Sequence, residues 1–156
     1  MALFDLEDVF QMAEQMEESG RHFYETVALN TPNVAVAALC RDLAQQEQVH
    51  LETFRAMRRA ATGGAKPPAL VPEKMQFTQG LLESRAAPLQ EEARPVAAGG
   101  SVAEVLESAL EMERQSIALY AEVASAVGGA DAAAVAEIIR EEQEHERLLR
   151  EASEAL

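Results

Sequence analysis

The chain has 156 residues and a formal net charge of −14 at pH 7, which disfavours nucleic acid and anionic membrane surfaces as partners. Aromatic residues make up only 4%, Trp is absent and Ala, Glu and Leu abound, the composition of a helical protein large enough for one domain with a core. Cys40 stands alone, which excludes an intramolecular disulfide and any CxxC site.

The first predicted helix runs from about Leu6 to Leu29 with Asp5 as its N-cap. Leu6, Val9, Phe10, Ala13, Met16, Phe23, Tyr24 and Val27 recur along it at three- and four-residue steps. "NTPN" ends it, with Thr31 placed to cap the next helix and Pro32 to take its first position. That second helix, about 32–61, carries Leu39, Leu43, Leu51 and Phe54 and stops at Gly63-Gly64. Composition then changes. The stretch 62–100 contains "GGAKPP" and every proline except Pro32, with room for only a short helix around 73–84. A loop of that length in a small protein normally has a task, here a crossover along a bundle.

The third helix opens on "SVAE", a capping box in which Ser101 is the N-cap and Glu104 reaches back to it. It ends at Gly128-Gly129, and Asp131 is placed to cap a fourth helix running to about Glu154. Two helical pairs, 5–61 and 101–155, joined by a 62–100 crossover predict an all-α four-helix bundle, one domain over 1–156. No apolar run is long enough to span a bilayer, and "MALFDLEDVFQMAEQ" lacks a basic region followed by an apolar block. A cytoplasmic protein is expected.

The two pairs are repeats of one another. "QMAEQMEESGRHFYETVA" lies over "ESALEMERQSIALYAEVA" and sets Met16, Glu17, Tyr24, Val27 and Ala28 on Met112, Glu113, Tyr120, Val123 and Ala124. "DLAQQEQVH" lies over "EIIREEQEH" and sets Asp42, Glu47 and His50 on Glu137, Glu142 and His145. Of the 27 acidic residues only Asp5, Asp8, Asp42 and Asp131 are aspartates, so a lone Glu-x-x-His carries little weight in so glutamate-rich a chain.

The repeat is therefore the filter, because a two-fold site uses residues present in both halves. Asp8 and Glu104 pass it but sit in first turns, where negative charge complements the helix dipole. Asp42 is five residues before Glu47, about 140° round the helix, and Asp42 and Glu137 are set outside the site. Glu141 lies four residues before His145 but matches Gln46, so Glu142, which matches Glu47, is the preferred partner of His145.

Glu17, Glu47, His50, Glu113, Glu142 and His145 remain. Residues three apart share a helix face, so each Glu-x-x-His offers one oxygen and one nitrogen ligand inward. One Glu from each of two helices, with Glu-x-x-His from each of the other two, is the arrangement of di-iron and di-manganese carboxylate bundles. Four carboxylates match the charge of two divalent ions; burying them together without metal would be very costly.

Tyr24 and Tyr120 each follow a candidate Glu by seven residues, two turns along the same face. They are placed either to hydrogen-bond ligand carboxylates or to serve as half-buried packing. His22 has no histidine counterpart, Ala118 taking its place, and reads as surface. Cys40 reads as a small core residue.

Glu17 with Tyr24, "EQVH" at 47–50, Glu113 with Tyr120, and "EQEH" at 142–145 together resemble the rubrerythrin domain of the ferritin-like superfamily, over both helical pairs. The resemblance implies a di-iron centre that reacts with peroxide or dioxygen. Glu17, Glu47, Glu113 and Glu142 would be carboxylate ligands, two of them bridging, and His50 and His145 would each bind one iron. Manganese and zinc are alternatives, since Glu/His donors do not select the metal by ligand type alone.

Two departures stand out. Rubrerythrins proper carry a rubredoxin-like domain whose cysteines hold an electron-delivering iron, whereas this chain has Cys40 alone, so a separate electron-donor protein is expected. Peroxidase-type members carry a further Glu one turn beyond the third-helix ligand, where this chain has Ser116. The functional expectation is an oxidoreductase reducing peroxide or dioxygen. The alternative is a ferritin-like protein that sequesters iron, with ferroxidase activity only. A homodimer is expected by analogy with bundles that pair through exposed apolar faces.

Overall fold

The computed structural model describes residues 6–64 and 101–156, and these form four α-helices. They are α1 (Leu6–Asn30), α2 (Val34–Ala61), α3 (Val102–Ala126) and α4 (Gly129–Glu154). No strand occurs among the described residues, and none of their helices is long and apolar enough to cross a membrane. The expected Asp5 cap, the short helix around 73–84 and residues 65–100 of the crossover lie outside the described residues.

The helix starts differ in how well the sequence announced them. At α3 the capping box forms as expected: the Ser101 hydroxyl accepts from the Glu104 amide, and the Glu104 carboxylate accepts from the Ser101 amide. At α2 the cap is Asn33, not Thr31, and Pro32 stays outside the helix. Asn33 Oδ1 accepts from the Val36 amide at 3.1 Å. Thr31 acts one step earlier, its hydroxyl accepting from the Asn33 amide at 3.3 Å. Asn is as good a cap as Thr or better, and choosing it lengthens the turn by two residues.

At α4 the Asp131 cap does not form. The helix starts earlier, behind Gly128, with no side-chain cap bond, and Asp131 lies in its first turn as a charge facing the helix dipole. Gly129 at φ +57 makes that earlier start possible, since the left-handed region is costly for any residue with a Cβ.

The core forms two apolar layers. One packs Phe23, Val27, Val36, Cys40, Leu43, Leu106, Met112 and Leu149; the other packs Phe10, Met16, Phe54, Leu119, Val123, Val135 and Ile138. Each helix contributes to both, and the order in which it visits them fixes its direction. α1 and α4 run from the second layer to the first, α2 and α3 from the first to the second. α1 packs on α2 and α3, and α4 on α3 and α2, so every packed pair is antiparallel. α2 therefore ends at the opposite end of the bundle from the start of α3. This is the all-α four-helix bundle that the two helical pairs and their crossover predicted.

Ion pairs tie each helical pair together: a partly buried one from Arg58 to Glu14 between α2 and α1 at 2.5 Å, and an exposed one from Arg114 to Glu146 between α3 and α4 at 3.1 Å. Cys40 is buried in the first layer, where burial pushes its thiol up to about 12 and keeps it unreactive. His22 is exposed, as its lack of a counterpart suggested.

Candidate metal centre

Between the two apolar layers each helix turns its acidic or imidazole side chains inward. Glu17 of α1, Glu47 and His50 of α2, Glu113 of α3, and Glu142 and His145 of α4 are all buried. The layering explains this. Each of these residues interrupts an apolar stripe on the inner face of its helix, and burial of the flanking Met16, Phe23, Met112 and Leu119 carries it inside. The residues set aside fall outside, with Asp42 and Glu137 exposed and Glu137 paired to Arg140. Glu104 serves the α3 cap, and Asp8, in the first turn of α1, is buried away from the cluster.

The six residues form two overlapping groups whose donor atoms all lie within 4.8 Å of one another. Glu17, Glu47, His50 and Glu142 make one; Glu47, Glu113, Glu142 and His145 make the other. Glu47 and Glu142 belong to both. The two imidazoles lie near parallel with centroids 5.7 Å apart, and both aim Nδ1 at the carboxylates. His50 Nδ1 is 3.2 Å from Glu142, 3.5 Å from Glu17 and 3.8 Å from Glu47. His145 Nδ1 is 3.0 Å from Glu142, 3.5 Å from Glu47 and 3.6 Å from Glu113.

These distances fit a shared centre better than a set of mutual hydrogen bonds. Glu17 Oε2, Glu142 Oε2 and His145 Nδ1 are buried and make no hydrogen bond, although opposite charges stand close by. Such orphaned atoms are expensive unless something else satisfies them. Ligands at about 2.1 Å from one ion and at right angles stand about 3 Å apart, close to the shortest separations in the cluster. Carboxylate oxygen and imidazole nitrogen are the donors that iron, manganese and zinc accept.

The titration properties of the cluster follow from the same crowding. Burial, then Glu47 and Glu142, hold the Glu17 carboxyl well above the usual range. Burial and then Glu142 do the same to Glu113. Burial opposes charge on the imidazoles, but hydrogen bonds to Glu142, Glu17 and Glu47 outweigh it and raise His50. Glu113, Glu142 and Glu47 likewise push His145 up to about 12. Glu142 goes the other way: burial would raise it, yet the two histidines hold it well below the carboxylate range. Without metal the cluster therefore neutralises itself by keeping protons on Glu17, Glu113 and both imidazoles, and a metal ion has to displace them.

The tyrosines reach across the bundle. Tyr24 of α1 donates to Glu113 of α3, and Tyr120 of α3 donates to Glu17 of α1 at 2.5 Å. Their expected role at the candidate carboxylates is seen, but each serves the facing helix rather than its own, and both are fully buried. Burial and the facing carboxylates raise both phenols, so each keeps its proton and stays a donor. Tyr24→Phe and Tyr120→Phe each remove a buried hydrogen bond to a carboxyl that holds its proton in the metal-free protein, worth about 0.5–1.5 kcal/mol. Each variant is expected to unfold at lower temperature than the wild type while still taking up metal, as checked by calorimetry and metal analysis.

Sequence comparison missed two kinds of participant. Glu141 Oε2 stands 2.5 Å from His50 Nε2, and Gln46 Oε1 stands 2.8 Å from His145 Nε2. Each grips the outer nitrogen of the other half's histidine. Glu141 was set aside because its counterpart is Gln46, yet both accept hydrogen bonds, and that shared property was the available signal. Gly20 is the other. A Cβ there would lie 3.4 Å from Glu47 Cδ, so the missing side chain leaves the carboxylate its space. Gly20→Ala is expected to be tolerated, and helix propensity even favours it by up to about 1 kcal/mol. Gly20→Val is expected to displace the Glu47 carboxylate and lower the metal content; full metal content in that variant would show the space to be unused.

Fold and site together define a ferritin-like four-helix bundle with a buried carboxylate–histidine cluster able to hold metal. The family model for rubrerythrin matches residues 8–153, and the chain belongs to the rubrerythrin family. No curated protein and no solved structure matches it.

Proposed function

We propose that the protein is a di-iron oxidoreductase that reduces peroxide or dioxygen with electrons from a separate donor protein. The observation that carries this reading is the pair of overlapping four-residue groups sharing Glu47 and Glu142, which provides two adjoining positions for divalent ions. Glu17 and His50 would complete one position, and Glu113 and His145 the other. Bound iron would supply the redox chemistry, two electrons from a ferrous pair. Peroxide takes up those two electrons and two protons to become two waters.

The chain's own contribution is positional and protonic. Apolar layers on both sides keep bulk water from the cluster. Tyr24 Oη and Tyr120 Oη hold Glu113 and Glu17 in place as hydrogen-bond donors. The outer nitrogens of His50 and His145 are tied to Glu141 and Gln46, which leaves both Nδ1 atoms directed inward.

Ser116 supports a second reading. It is buried one turn beyond Glu113, at the place where the resemblance to peroxidase-type members would put a carboxylate. On this reading the protein oxidises and sequesters iron without catalytic turnover. One experiment separates the two. Iron-loaded protein, reduced anaerobically, is mixed with peroxide while a chemical reductant is supplied. Continued peroxide consumption supports the oxidoreductase; a single oxidation matching the bound iron overturns it in favour of the ferroxidase.

A further inference from the structure

The two metal positions differ in what stands behind their histidines. His50 Nε2 donates to a carboxylate, Glu141 Oε2, at 2.5 Å; His145 Nε2 donates to a neutral amide oxygen, Gln46 Oε1, at 2.8 Å. The inner sides of the imidazoles are matched by the repeat. Each Nδ1 faces Glu142, Glu47 and one further Glu within 3.0–3.8 Å, and each ring is buried. Behind the two imidazoles the departure from two-fold symmetry is thus a charge, carried by one residue and missing from its counterpart.

We propose that Glu141 makes the two metal positions unequal, so that the one completed by His50 binds a divalent cation more tightly than the one completed by His145. This rests on the metal-binding reading above. A carboxylate accepting the Nε2 proton pulls it away from the ring and leaves Nδ1 a stronger donor. It also places one more negative charge near that ion. An amide oxygen fixes the ring's orientation but adds no charge. The Glu141 side chain is 46% exposed, so solvent screens part of its charge, while its hydrogen bond reaches a fully buried ring. Glu141 acts through His50 and is a positioning residue.

The test uses cobalt(II) as the probe, with affinities read from its ligand-field absorption and by calorimetry. Two like positions sharing Glu47 and Glu142 would also fill in two phases by mutual repulsion, so the positions are measured one at a time. His145→Ala retains the His50 position and His50→Ala retains the other. The first is expected to bind one cobalt about 10-fold or more tighter than the second, the scale on which partners of metal-bound histidines act. Adding Glu141→Gln to His145→Ala is expected to remove most of that advantage. Adding Gln46→Glu to His50→Ala is expected to tighten the other position by a similar factor. Equal affinities in the two histidine variants, or no response to either exchange, would overturn the proposal. Wild-type protein that takes up no cobalt at all would instead overturn the metal-binding reading itself.

Discussion

Glu142→Ala is expected to abolish binding at both metal positions, whereas Glu17→Ala or Glu113→Ala removes one. The asymmetry comes from geometry: Glu142 belongs to both four-residue groups, Glu17 and Glu113 to one each. The same substitution also damages the metal-free protein. Glu142 carries its negative charge between His50 and His145, at 3.2 and 3.0 Å. Truncating it leaves two buried, protonated imidazoles without their shared counter-charge, a class of change that costs about 3–5 kcal/mol. Glu142→Gln keeps the shape and part of the hydrogen bonding, so it is the milder companion and is expected to stay folded. Metal analysis after loading, with circular dichroism as the folding control, reads both effects. Undiminished metal content in folded Glu142→Gln would count against a shared ligand.

The second large effect concerns pH. In the metal-free protein Glu17, Glu113, His50 and His145 are all raised above their ordinary values of 4.5 and 6.5. A raised group binds its proton more tightly in the folded state. Its stabilisation is complete below the ordinary value and is lost as pH climbs towards the folded one. Glu142 is lowered, so its contribution is complete above 4.5 and is lost only in acid. Above about pH 5 the four raised groups therefore set the slope, and metal-free protein is expected to lose stability steadily as pH rises to 9.

Metal reverses the trend, because the protons it must displace grow scarcer as pH rises. Ligand at 100 times its dissociation constant contributes about 2.7 kcal/mol per site, and the dissociation constant itself falls with pH. The gap in unfolding temperature between loaded and metal-free protein is expected to widen from pH 5 to pH 9. Glu17→Gln with Glu113→Gln, which removes two of the groups, is expected to flatten the metal-free slope. A gap independent of pH would mean that the cluster holds no displaceable protons.

Much of this protein is written along the chain, because the signals involved are local and duplicated. Helix periodicity, the Ser101 capping box and the Gly63-Gly64 stop require only neighbouring residues. The repeat supplied what local reading lacks: by matching "QEQVH" to "EEQEH" and the stretch around Glu17 to that around Glu113 it isolated six residues from a chain rich in glutamate, and the structure buries all six in one place. Where local signals competed, the outcome went either way. Asn33 capped α2 in place of Thr31, and Gly129 let α4 begin before Asp131.

What the sequence determined by itself was the set of inward groups, since apolar stripes and the duplication of Glu-x-x-His are one-dimensional patterns. The tertiary structure alone decided which groups meet across helices. It put Tyr24 on Glu113 and Tyr120 on Glu17, opened space for Glu47 at Gly20, and set Glu141 and Gln46 behind the opposite half's histidines. The tyrosine and histidine pairings depend on antiparallel packing, which brings together side chains about a hundred residues apart. A helix face tells which way a residue points; only the packed neighbour determines what it meets.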